Sequence, residues 1–253
     1  MRLQRALGLL PLALLLLAWH LAVQAKVYPP VLLPPIAKVL AVFVDDLPTV
    51  VDHALSSIGR VIAGISCSFA VAVPLGLMIG RYRWLDLLTD WSIQIFRSVP
   101  PISLIPLAIL FLGIGDKPAI SLIFLSGLWP LLINTIFGVR GIERTLIKVA
   151  RAARAAEFLV MKDIILPAAL PAIFTGLRLA VGAGWLTVVT AEMIAVKSGL
   201  GYMILNAQLT FRSDLIIAGI IVIGAIGLLA DQLVRLARSY VCRWQEGLTA
   251  SPE

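Results

Sequence analysis

Residues 61–80 read VIAGISCSFAVAVPLGLMIG, twenty consecutive positions without a charge. A helix rises about 1.5 Å per residue, so such a run reaches about 30 Å, the thickness of a bilayer's hydrocarbon core. Outward from it, similar runs occupy Ala6–Val23, Ser98–Gly115, Pro118–Val139, Ile164–Ala191 (interrupted by Arg178) and Leu215–Ala230. Six runs in 253 residues predict an all-α, polytopic membrane protein with six transmembrane helices. The composition agrees: the chain is 60% hydrophobic and 14% charged, with mean hydropathy +0.99, where soluble chains carry about 25% charged residues.

The segment between the first two runs holds Pro29, Pro30, Pro34, Pro35, Asp45, Asp46 and Asp52. Prolines and paired aspartates do not suit a lipid-facing helix. Lys26–Leu55 therefore reads as an external loop with a short amphipathic helix on the membrane surface. Arg2 and Arg5 before Ala6–Val23, with Val23-Gln24-Ala25 after it, fit both a retained first span and a cleaved leader, and the retained span is preferred. The expected organisation is residues 1–55 as first span plus interfacial segment, 56–240 as a five-helix core with a loop at 138–167, and 241–253 as a tail.

The net charge of +7 does not point to nucleic acid, because the basic residues edge the apolar runs. With the N-terminus cytoplasmic, fifteen Lys and Arg fall on the inner side, from Arg2 to Arg243, against Lys26, Lys38, Lys117, Lys197 and Arg212 outside, with Arg60 uncounted at a boundary. The positive-inside rule then places both termini in the cytoplasm of a bacterial inner-membrane protein.

No Ser-His-Asp or Cys-His set is legible. His20 and His53 are too few for a metal site, and Cys67 and Cys242 read as buried or inert thiols. No phosphate-cradling loop is present, so no cofactor is expected in this chain. The loop Gly138–Pro167 is the most unusual segment. Arg140, Arg144, Lys148 and Arg151 fall at helical spacing and would form a basic stripe, followed by the Ala-rich stretch to Ala156. Ile164-Ile165-Leu166-Pro167 is expected to end that helix. Such a face could lie on anionic membrane lipid.

Residues 166–201, LPAALPAIFTGLRLAVGAGWLTVVTAEMIAVKSGLG, closely resemble the inner-membrane permeases of binding-protein-dependent ABC importers, in the sulfonate, taurine and nitrate branch. Ser92-Ile93-Gln94, Arg97-Ser98-Val99-Pro100-Pro101, Ile105-Pro106-Leu107, Phe111–Gly115 and Asn134-Thr135 follow the same pattern, from about Val50 to Asp231. The resemblance implies a type I permease fold assembled as a homodimer with a second copy. It implies separate ATP-binding cassette ATPase subunits that use ATP and Mg, and a periplasmic solute-binding protein. The solute would be a small one, with a sulfonate or taurine-like anion first and nitrate, bicarbonate or a heterocyclic vitamin precursor as alternatives. The coupling loop of the family would correspond to Arg144, Lys148, Ala150, Arg151, Arg154, Glu157, Leu166 and Pro167. Its Glu-Ala-Ala falls on Lys148, Val149 and Ala150 and its glycine on Arg154, so only one alanine survives, and Arg154 is expected to continue the helix. A stand-alone secondary transporter is the competing class, and Glu192 is thin support for its ion site.

Within the spans, Arg97, Pro100, Arg178, Trp185 and Glu192 are candidates for pathway or packing roles. Arg178 is expected to snorkel and Glu192 to pair with a cation such as Lys197. Trp185, Gly176, Gly182 and Gly184 are read as packing residues. Pro100, Pro101 and Pro106 would kink the third span.

Overall fold

The computed structural model describes residues 2–243, without the side chains of residues 2–9, Leu12, Arg144 and Arg151. The predicted tail beyond Arg243 lies outside the described residues. Among them all regular structure is helical. The chain runs through α1 (Arg2–Gln24), α2 (Ile36–Asp45), α3 (Leu47–Arg81), α4 (Arg83–Arg97), a 3₁₀ turn (Pro101–Leu104), α5 (Ile105–Leu112) and α6 (Asp116–Arg140). It continues through α7 (Arg144–Ala152), α8 (Glu157–Leu159), a π-helical stretch (Val160–Ile165), α9 (Leu166–Ala195), α10 (Leu200–Leu209) and α11 (Ser213–Val241).

Among the described residues, four helices are long and apolar enough to cross a membrane: α3, α6, Glu157–Ala195 and α11. A fifth candidate is α4 joined to Pro101–Leu112, and the two halves are bent by 78°. The expected kink of the third span is therefore a full break, at the start of the 98–115 run. Pro100 takes an extended backbone, as a residue before proline must, and its neighbour opens a new helix. Ala13–Gln24 of α1 is apolar but shorter than a span. Length and composition thus support four or five spans among the described residues, where six were expected.

The core is built around α6, which packs between α3 and α9. Its contact with α3 rests on small residues every fourth position: Gly64, Ser68, Ala72, Gly76 and Gly80. A Cβ at Gly64 would lie 2.6 Å from Ile123 Cγ2, one at Gly76 2.6 Å from Thr135 Cβ, and one at Gly80 2.7 Å from Val139 Cβ. These partners keep one offset (64 to 123, 76 to 135, 80 to 139), so the helices run parallel in fixed register. Small residues let the backbones approach where lipid offers no hydrophobic drive for association. Against α9, Gly138 meets Ala172 and Gly176 meets Asn134, so α9 runs antiparallel to α6. Gly184 is packed against Ile65 and Ile123, whereas the space beside Gly182 is open, so Gly182 does not serve close approach.

Two boundaries move. α3 begins at Leu47, with Pro48 in its first turn, so Asp52 and His53 are helical and the boundary expected at residue 55 falls inside a helix. The amphipathic helix is α2, which buries Val39 and Val42 against α11. Asp46 after it accepts from Arg212 Nη2 at 2.6 Å, and that hydrogen bond raises the guanidinium's already high pKa. Pro167 and Pro171 do not end the loop helix: Pro167 sits in the first turn of α9, where its missing N–H costs nothing, and Pro171 lies inside. Cys67 is exposed and Cys242 buried.

Candidate functional site

At the end where α6 finishes, residues 141–165 fold into a helical hairpin. α6 stops at Arg140 and α7 starts at Arg144, so Arg140 does not share a helix with Lys148 and is instead paired with Asp86 of α4. Lys148 is exposed on α7, and Ala150 is buried in the same core as Val160 and Ile165. The N–H of Ala155 then donates to Ala150 O at 3.1 Å, and Arg154 sits at φ +55°. A six-to-one bond over a left-handed residue is the Schellman cap, which usually places glycine at that position. Arg154 therefore ends the helix, contrary to expectation, by adopting the backbone that glycine would supply.

Glu157 opens α8 and accepts from Arg81, the last residue of α3, at 2.8 Å from Nε and 2.6 Å from Nη2. This ties the hairpin to the end of α3. Leu166 and Pro167, half-buried, carry the chain from the π-helical stretch into α9. Single-turn π segments often mark functional positions in helices. The structure thus brings Lys148, Ala150, Arg154, Glu157, Leu166 and Pro167 together in one hairpin. The backbone of Arg144 and Arg151 belongs to α7, and their side chains lie outside the described residues.

The broken span forms a second site. On α4, Asp86, Asp90, Gln94 and Arg97 follow one another at three- and four-residue steps, while Trp84, Leu88, Trp91 and Ile95 on the other face are exposed. The polar stripe lines a cavity of about 350 Å³ with Ile133, Phe137 and Arg140. A second cavity, of about 430 Å³, is lined by Arg97, Ser98, Pro101, Ser126, Trp129, Pro130, Ile133 and Ala183. Phe96 stacks on Trp129 at 6.4 Å and holds the bend against α6. Pro100 is exposed within the break.

The opposite end carries a buried network that connects four helices. Glu192 is fully buried; its Oε1 accepts from Arg60 Nη1 at 2.6 Å, and its Oε2 accepts from Ser57 Oγ at 2.8 Å and the Gly201 N–H at 3.0 Å. Arg60 also donates from Nε to Asp116 at 2.8 Å and from Nη1 to Ser198 O at 3.0 Å. The Ser57 hydroxyl in turn accepts from the Leu200 N–H at 2.9 Å, and His53 Nδ1 accepts from the Gly199 N–H at 3.0 Å. Gly199 has φ +99°, and a Cβ there would meet the Glu192 carboxylate.

The partner of Glu192 is thus Arg60 and not Lys197. The sequence signal for Arg60 is a cation three residues after Ser57 on a helix that continues without a charge for two more decades of chain. Arg178 is likewise paired, with Asp231 of α11 at 3.0 Å from Nη2, and does not stand free at an interface. Trp185 is buried and donates from Nε1 to Ile223 O at 3.1 Å. Among the described residues, no cluster of His, Cys, Asp and Glu is able to hold a metal ion.

Long parallel and antiparallel spans, a broken one with a polar crevice, and a capped hairpin at one end define a membrane transport protein and not an anchor. The chain belongs to the family of binding-protein-dependent transport system inner membrane components, whose model matches residues 72–239. It is a multi-pass ABC importer permease, a class that is not itself catalytic. It is 36% identical over 241 residues to a putative ABC transporter permease protein of Methanocaldococcus jannaschii, covering 92% of this chain and 90% of that one. It is 32% identical over 250 residues to the taurine transport system permease protein of Escherichia coli, covering 95% and 90%. Inward-facing structures of the MetNI methionine ABC transporter share the fold, with a TM-score of 0.60 at 18% identity over 74% of this chain and 94% of that one.

Proposed function

We propose that this permease imports a small sulfonate- or taurine-like anion, driven by separate ATP-binding cassette subunits that consume ATP and Mg. Two copies of the chain form the pathway, a periplasmic solute-binding protein delivers the solute, and both termini are cytoplasmic. The taurine permease relative supports the solute class, and the arginine and lysine asymmetry supports the orientation.

The hairpin is the coupling element, and the observation that carries this is the left-handed Arg154 at the position of the family's glycine. The turn is preserved although the residue is not, so the hairpin keeps the shape needed to enter a cleft on the ATPase. Its tie to α3 through Arg81–Glu157 gives motion of the hairpin a route into the bundle. Arg151 and Arg154 contact acidic groups on the ATPase, in place of the missing glutamate.

Reversing both with Arg151→Glu and Arg154→Glu tests this. Co-purification of the ATPase should fall, or ATP use should separate from uptake, with membrane insertion unchanged. A rim ion pair contributes only about 0–1 kcal/mol, but charge reversal adds repulsion. Equal recovery and equal transport, with reduced binding to anionic liposomes, would instead assign the hairpin to lipid. Uptake that persists without any ATPase would overturn the permease mechanism.

A further inference from the structure

We propose that Arg97, at the bend of the broken span, is the anion-recognition residue of the translocation pathway, with Ser98 and Ser126 beside it. The proposal deepens the reading of the solute as an anion and rests on that reading.

Five arginines of the bundle are neutralised inside the molecule, whereas Arg83 and Arg97, at the two ends of α4, have no such partner among the described residues, and of these two it is Arg97 that lines the cavities. Arg60 is held by Glu192 and Asp116, Arg81 by Glu157, Arg140 by Asp86, Arg178 by Asp231, and Arg212 by Asp46 and Asp214. Among the described residues Arg97 has neither an ion-pair nor a hydrogen-bond partner. This is not for lack of acids on its own helix face. Asp86 is taken by Arg140, and Asp90 accepts from Gln94 Nε2 at 2.8 Å. The polar stripe of α4 is thus internally satisfied up to its last member, which is left with a free guanidinium.

That guanidinium lies where the helix breaks and lines both cavities, so it sits at the junction of the crevice and the pocket under the bend. A cation set against apolar walls without a counter-ion is a candidate for binding a solute or an ion. A guanidinium presents its donors in a fixed fork that fits the oxygens of a sulfonate or carboxylate. Trp129, Pro130, Ile133 and Ala183 supply an apolar wall for a short alkyl chain, and the space of about 430 Å³ has room for a small organic anion. The chemistry selects charge and size. It does not select among sulfonate, carboxylate and inorganic oxyanions.

The test reads the local potential without needing the natural solute. Ser98 is exposed and lines the same pocket, so Ser98→Cys, with Cys67 and Cys242 replaced by serine, reports access in the full chain in nanodiscs. Two methanethiosulfonate reagents of similar size are compared, one carrying a sulfonate and one a trimethylammonium group. The ratio of their rates cancels any change in thiol ionisation. With Arg97 present the sulfonate reagent should react faster, and 10 mM ethanesulfonate should slow it where choline chloride does not, taking about 10 mM as an ordinary weak-site concentration.

Arg97→Gln should lower the anion-to-cation rate ratio roughly tenfold, since a unit charge ~4 Å away alters each reagent's local concentration several-fold even at the dielectric of water. Arg97→Lys should keep the ratio, and it serves with Arg97→Met if the glutamine variant does not fold. An unchanged ratio in Arg97→Gln overturns the proposal, as does a thiol that reacts with neither reagent. Because no ATPase is present, either failure is separate from failure of the coupling hairpin. Conversely, a charge-selective pocket in a chain that does not bind an ATPase would leave Arg97 assigned and the coupling reading refuted.

Discussion

Arg60 and Arg97 are both arginines on helices of the membrane bundle, and their circumstances are opposite. Arg60 is 6% exposed and donates to Glu192, Asp116 and Ser198. Arg97 is accessible, lines two cavities and has no partner among the described residues. One cation joins α3 to the start of α6 and to the α9–α10 connection. The other is left facing a space. The difference shows that charge inside a membrane protein acquires meaning from its neighbours, because a satisfied pair is structure and an unsatisfied one is an invitation to a ligand.

The comparison breaks most visibly under substitution to methionine. Arg60→Met leaves Glu192 as a buried carboxylate without its counter-ion, and losing one member of a buried pair costs about 3–5 kcal/mol. Thermal unfolding of the detergent-solubilised protein should show a large drop. Arg60→Met combined with Glu192→Leu should recover part of it, because no unpaired carboxylate is left buried, although the Gly201 N–H loses its acceptor. Arg97→Met should change stability by less than about 1 kcal/mol, the usual scale for a group without a folded-state partner. Equal losses at the two arginines would erase the distinction between them.

A smaller contrast separates two glycines. Gly76→Leu pushes a side chain into Thr135 on the facing helix, where real Cβ atoms do not fit, and overpacking of this sort costs about 1–3 kcal/mol. Gly182→Ala meets open space and removes a helix-destabilising residue, so it should be neutral or stabilising by about 0.5–1 kcal/mol. The same melting experiment ranks them. A loss at Gly182 as large as at Gly76 would mean that the α3–α6 seam is not what fixes the register.

These contrasts also mark what the sequence discloses. Charge-free runs placed α6 and α11 well, because exclusion of charge from lipid is a strong and local constraint. The same rule is blind to direction: the prolines announced a kink in Ser98–Gly115, but not that the chain turns by 78° there with α4 as the other half of the span. The Gly64-Ser68-Ala72-Gly76-Gly80 spacing is a legible sign of a close helix seam. The Arg60–Glu192 pair is not, since its members lie 132 positions apart and nothing local links them.

Helix ends were hidden for a different reason. α1, α7 and α10 all close with a six-to-one bond, from Val27 to Ala22, Ala155 to Ala150 and Arg212 to Ala207. The left-handed residues there are Lys26, Arg154 and Phe211, not glycine. The expectation that Arg154 prolongs its helix followed helix propensity, and tertiary packing of Ala150 and Ala155 overrode it.

The smallest expected effect lies at that same residue and separates its backbone from its side chain. A left-handed conformation costs a non-glycine residue about 1–2 kcal/mol, which Arg154→Gly would relieve. The glycine variant also gives up one exposed ion pair, of about 0–1 kcal/mol, with the ATPase. The two nearly cancel, so ATPase association should change by less than about threefold, a difference under 1 kcal/mol. Arg154→Ala loses the ion pair and keeps the strain, so it should bind more weakly than the glycine variant. Arg154→Glu adds repulsion and should be weakest. The expected order of ATPase recovery is therefore glycine equal to or above arginine, then alanine, then glutamate. Alanine and glycine recovering the ATPase equally would mean that the left-handed turn does not shape the hairpin for docking. Glycine falling to the level of glutamate would mean that the guanidinium alone carries the contact.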